Sequence, residues 1–123
     1  ADPRFVFTRK YLCIRQDPAA GHPLKIGLSN RRNWGAYVRQ EKLFVKFLEY
    51  QEGAAYPDEG SSFEVFTNSE ILELETVGPL RSLAPGESSS HREEWYLFKN
   101  ISAEPAETSL DENLFPKIQA LRP

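Results

Sequence analysis

The apolar residues of this chain fall in short runs, among them RFVFTRKYLCIRQ, LKIGLSN, WGAYVR, KLFVKFLEY, SSFEVFTN, SEILELETVG and SSHREEWYLFKNI, separated by clusters of Gly, Pro, Asn, Asp and Ser. Short runs rich in aromatic and β-branched residues and bounded by turn formers predict strands joined by tight connections. No long helical repeat competes with them, so the expected fold class is all-β and antiparallel. With 40% hydrophobic and 12% aromatic residues in 123, one domain can bury a real core, which excludes a disordered or low-complexity chain.

Alternation assigns faces within the runs. In the first, Phe5, Phe7, Tyr11 and Cys13 share one side and Val6, Leu12 and Ile14 the other. The prolines of DPAAGHP then break the chain. In KLFVKFLEY, Leu43, Val45 and Phe47 oppose Phe44, Leu48 and Tyr50, with Lys46 among the latter, as a central strand requires. QEGAAYPDEGSS is the longest polar interruption in the middle of the chain, and such loops often carry function. A hairpin is expected around Asn68 and Ser69. LAPGESS places Pro85 and Gly86 for a type II turn. Ser109 to Glu112 reads as a capping box, and Pro116 keeps any helix there short. Leu110, Leu114, Phe115, Ile118 and Leu121 then form an apolar flap. The expected organisation is a single domain over 1–123, with a β body over 1–100 and a tail over 101–123 that packs on the sheet.

Charge narrows the partners. Fifteen Lys and Arg against eighteen Asp and Glu leave a net charge of −3, with no global attraction to nucleic acid or anionic lipid. No run approaches the roughly 18 apolar residues of a membrane span. Neither a nucleic-acid nor a membrane partner is expected, and a cytoplasmic location is the default, although a cleaved export signal would leave no trace. The chain has no methionine: either an initiator was removed before Ala1, or the chain is part of something longer.

Cys13 alone and two histidines offer no disulfide or zinc set, so no cofactor and no metal are expected. Asp58 and Glu59 beside Tyr56 are oxygen ligands without an EF-hand spacing. Arg31, Arg32 and Trp34 suit a phosphate or carboxylate, though a polar turn explains them equally. Two constellations stand out. Glu73 and Glu75 share one strand face, where one carboxylate can raise the pKa of the other for acid or base work; a solvated face with Leu72 and Leu74 behind it is the simpler account. His91, Glu93 and Trp95 share another, and an imidazole, a carboxylate and a flat aromatic suit a sugar. An edge strand whose Trp95 covers the core is the competing account.

The stretch from LFVKFLEY through EVFTN, ELETVGP, LAPGES and HREEW resembles the later part of galactose-mutarotase-like β-sandwich domains, and within that group an uncharacterised family sharing this order of motifs. The resemblance covers roughly residues 24 to 98. It implies an antiparallel two-sheet supersandwich, a scaffold used by sugar epimerases and carbohydrate-binding domains. Mutarotases use a histidine acid and a glutamate base, but the sequence around His91, Glu73 and Glu75 does not reproduce theirs, so these stay candidates and the catalytic residues are not assigned. The leading expectation is a carbohydrate-binding domain drawing on Trp34, Glu73, Glu75, His91, Glu93 and Trp95. The alternatives are a mutarotase-like sugar epimerase and an interaction module without a small ligand. Because members of that fold are longer, a homodimer formed through open sheet edges or faces is expected.

Overall fold

The first apolar run does not stay extended. The Thr8 amide donates to the Tyr11 carbonyl at 2.9 Å, and the Thr8 hydroxyl accepts from the amides of Lys10 and Tyr11 at 3.2 and 2.8 Å. A side-chain hydroxyl that takes backbone amides in this way favours a turn over a strand. The computed structural model, which describes residues 1–122, therefore opens with a hairpin of β1 (Phe5–Phe7) and β2 (Leu12–Ile14). Val6 pairs with Cys13, and Phe5 and Phe7 pair with Ile14 and Leu12. Cross-strand partners share a face, so Cys13 lies with Val6, which corrects the faces expected of a single strand.

Six more strands follow: β3 (Leu24–Leu28), β4 (Trp34–Arg39), β5 (Lys42–Phe47), β6 (Phe63–Thr67), β7 (Leu72–Thr76) and β8 (Glu94–Lys99). They form two three-stranded antiparallel sheets, ordered β3-β6-β7 and β4-β5-β8. The apolar-on-both-faces strand β5 is central, as its pattern predicts. The β6–β7 hairpin turns where expected, with the Asn68 carboxamide oxygen accepting from the amides of Glu70 and Ile71 at 2.8 and 2.9 Å. β4 and β5 are joined by Gln40 and Glu41, both left-handed at φ 50° and 57°. The Pro85–Gly86 turn also forms, closed by the Glu87 amide on the Ala84 carbonyl at 3.0 Å with Gly86 at φ 88°. The strand expected from Ser89 onward starts only at Glu94.

Two short helices, α2 (Glu107–Asn113) and α3 (Phe115–Leu121), follow a single turn, α1 (Pro57–Gly60), in which Asp58 and Glu59 are left-handed. α2 begins two residues before the predicted cap. Ser109 lies inside it and its hydroxyl accepts from the Glu104 amide at 2.9 Å, outside the helix. Pro116 sits in the first turn of α3, where a missing N–H leaves no intrahelical bond unmade. Leu110 of α2, Leu114 at the joint between the helices and Ile118 of α3 form one core with Leu43, Val45 and Phe47 of β5, and Trp34, Ala36, Val38, Tyr96 and Phe98 pack around it.

The β1–β2 hairpin is tied to α2 by Asp111, which accepts from the Tyr11 hydroxyl at 2.5 Å and pairs with Lys10 at 2.6 Å. Burial and that carboxylate push the Tyr11 phenol up, and burial raises the Cys13 thiol. Arg4, 2% exposed, is held by Asp2 at 2.7 Å and by the His22 carbonyl at 2.9 Å, joining the hairpin to the approach to β3. The two larger sheets meet at β4 and β7. Gly35 lies against Phe63 and Leu74, and the Lys46 ammonium of β5 donates to the Leu74 carbonyl at 2.8 Å. Among the described residues no helix is long and apolar enough to cross a membrane.

Candidate functional site

Because α2 and α3 cover one face of β4-β5-β8, alternation sends the remaining side chains to the other face in three rows, of which the first meets Phe63 and Leu74 of the second sheet at Gly35 and Lys46 while the other two face outward. Gly35, Lys46 and Trp95 form the first, Tyr37, Phe44 and Leu97 the second, and Arg39, Lys42 and Lys99 the third. Trp95 and Leu97 are 61% and 77% exposed. Large apolar side chains in that position on a sheet are informative where scattered surface leucines are not.

Trp95 is exposed yet fixed. Its ring meets Phe44 edge-on at 5.5 Å and 88°, its Nε1–H donates to Glu93 Oε2 at 2.7 Å, and the Lys46 ammonium lies 5.5 Å from its centre. Lys46 is buried and also reaches Glu93 Oε1 at 3.4 Å, so this buried cation has one partner on β7 and another just ahead of β8. Thr76 of β7 donates its hydroxyl to Glu93 Oε1, and the His91 Nε2–H, in the tautomer this leaves, donates to Thr76 Oγ1 at 2.7 Å. The His91 ring rests on Gly78, where a Cβ would lie 3.0 Å from Nδ1. Burial works to raise the Glu93 carboxyl, but the hydrogen bonds from Thr76 and Trp95 and the charge of Lys46 outweigh it and hold the group below the ordinary carboxylate range. Glu93 is thus an anchored carboxylate, held in its ionised form.

The other sequence candidates lie elsewhere. Glu73 and Glu75 point to the opposite face of β7 from Thr76, and so do not join His91. Glu75 sits across from Glu64, which Lys25 engages at 2.8 Å, with Glu75 at 3.9 Å from the same ammonium. Trp34 is on the core side of β4, its ring 6.4 Å from Phe115, and does not share a face with Trp95. Arg31 pairs with Glu52 at 3.4 Å and lies over Tyr50. Among the described residues no three His, Cys, Asp or Glu side chains gather as metal ligands.

His91, Glu93 and Trp95 thus form one connected group, as their alternation suggested, while Lys46, Thr76, Phe44 and Tyr37 were missed. Lys46 carried a signal, a single cation in the apolar run LFVKFL. Thr76 carried none, because its role depends on β7 lying beside the approach to β8. No family model, curated protein or solved structure matches the chain.

Proposed function

We propose that this chain is a carbohydrate-binding domain whose ligand stacks on the exposed part of the β4-β5-β8 face turned away from α2 and α3, the two larger sheets being the halves of an antiparallel β-sandwich of the galactose-mutarotase-like kind. The observation that carries the reading is Trp95, an exposed indole immobilised from three sides by Phe44, Glu93 and Lys46. A flat apolar surface fixed before the ligand arrives loses little entropy on binding, and its polar neighbours can meet the hydroxyls at a sugar's edge. The approach of Gly35 to Phe63 and Leu74 supports the packing of the two sheets. Calorimetric titration with a panel of neutral and acidic oligosaccharides should find a binder, and Trp95→Ala should weaken it at least about fivefold, the loss expected for an aromatic contact of about 1 kcal/mol beyond its area. Because Trp95 is exposed, the variant should keep the native circular dichroism. A panel without a binder would refute the reading.

One observation favours a second reading, sugar epimerisation: the Thr76 hydroxyl bridges an imidazole and a carboxylate, the two group types that exchange protons at an anomeric centre. Proton NMR of freshly dissolved aldoses would show accelerated anomer equilibration, lost in His91→Ala, and unchanged equilibration rates would remove this reading.

A further inference from the structure

We propose that the ligand of this face is an acidic glycan, a sugar chain with carboxylates on its rings, whose carboxylate docks on Arg39, Lys42 and Lys99. The inference rests on the carbohydrate reading above and narrows it to a substrate class. It starts from an arrangement the fold itself does not favour. Arg39 is directly opposite Lys42, and Lys42 directly opposite Lys99, so three cations line up across adjacent strands. Like charges directly opposite one another on a sheet destabilise it. The chain has more acids than bases, yet among the described residues none of the three cations is in ion-pair contact with a carboxylate. Other exposed cations, Arg15, Arg32, Arg81 and Lys117, are also without an ion pair among the described residues, but none of them stands directly opposite another cation on a sheet, so it is the alignment that sets Arg39, Lys42 and Lys99 apart.

The cations border the stacking surface. Arg39, Gln40 and Lys42 line a shallow hollow of about 220 Å³ together with Tyr37, Phe44 and Leu97. Enclosed ligand pockets are larger, about 300–1,000 Å³, so the hollow suits one stacked ring rather than an engulfed molecule. The cation row lies two residues beyond the aromatic row, about 7 Å at the usual strand rise. A pyranose lying on Tyr37 and Phe44 would place a carboxylate on its ring within reach of a guanidinium or ammonium, and Arg39 can take it with two parallel bonds. At the other end of the face stands Glu93, an anion. A strand with a phosphate at every step would meet that carboxylate, whereas a glycan with neutral positions between its acids need not, which favours sugar over single-stranded nucleic acid.

The test uses a pair of ligands that differ in charge: hyaluronan oligosaccharides, in which a uronic acid alternates with a neutral sugar, and their fully methyl-esterified form, titrated calorimetrically into the full chain, with oligouridylate as a third ligand. Three exposed ion pairs, each a factor of about two, predict that the acid form binds roughly tenfold more tightly than the ester, with the difference shrinking as salt is raised. Lys42→Gln should weaken the acid form about twofold while affecting the ester less, and should raise the urea midpoint, because it removes a like-charge contact. Equal affinity for acid and ester would overturn the acidic-glycan inference while leaving the stacking face standing. Absence of binding by both, with binders among neutral sugars of other stereochemistry, would overturn it equally. Failure of every sugar would remove the carbohydrate reading beneath it. Oligouridylate binding as tightly as the acid form would also overturn it and assign the face to nucleic acid.

Discussion

Gly35→Ala is the most direct probe of how the two larger sheets meet. A Cβ at Gly35 would lie 2.9 and 3.2 Å from Phe63 Cε1 and Cδ1 and 3.1 Å from Leu74 Cδ1. Carbon atoms prefer about 3.5–4.0 Å, so the neighbours must retreat by about half an ångström. Phe63 has little room to do so at 2% exposure. Overpacking of this kind costs about 1–3 kcal/mol, against which alanine in a strand recovers about 0.5–1 kcal/mol relative to glycine. The expected net loss is about 0.5–2 kcal/mol, seen in urea unfolding as a lower midpoint at unchanged slope and as a melting temperature lower by several degrees. Phe63→Leu should relieve the clash, so the double variant should lose less than the sum of the two, with a coupling of about 0.5–3 kcal/mol. Gly35→Ala at or above wild-type stability, or a cycle with no coupling, would refute the packing of β4 against β6 and β7.

Ile118→Ala, in the buried layer between α3 and β5, should cost about 2–5 kcal/mol; a loss below 1 kcal/mol in the same urea assay would show that the helices do not close the core. Acid should weaken the Asp2–Arg4–His22 link. Hydrogen bonds from Arg4, above all from its side chain, hold the Asp2 carboxyl well below its ordinary 3.8, so its contribution is complete above about pH 5 and is lost as pH falls through the folded value. Stability measured from pH 6 downward should therefore fall less steeply in Asp2→Asn than in wild type, and parallel curves would count against the link.

The architecture was legible where local chemistry and tertiary packing agree. KLFVKF reads as a central strand because both its faces are apolar, and it is paired on both sides. Asn68 signals its hairpin and Pro85–Gly86 its turn through residues that suit one backbone geometry. RFVFTRKYLCIRQ misled because its alternation is compatible with one long strand, and only the Thr8 hydroxyl marks the reversal. Ser109 misled for the opposite reason: a good capping sequence was overridden by α2 starting two residues earlier and using Ser109 to hold Glu104. At the candidate site, the period of two is enough to group His91, Glu93 and Trp95. It cannot say that Trp34 faces the core, that Glu73 and Glu75 turn away from His91, or that Lys46 and Thr76 complete the group, since each depends on which sheet lies behind which.

The β4–β5 turn has a consequence for the order of assembly. A two-residue turn with both residues left-handed favours asparagine and glycine, and Gln40 and Glu41 each adopt that conformation at a cost of about 1 kcal/mol or more. An isolated hairpin is marginal even with good turn residues, so β4 and β5 have little reason to pair before β8 reaches them from beyond the intervening segment 48–93. During synthesis from the N-terminus, Phe44, Val45 and Phe47 must wait for β8 to emerge. The sheet that carries Trp95 is thus the part of the molecule most dependent on a distant strand, and the interval before β8 arrives is when the nascent chain is most exposed to mispairing with its neighbours.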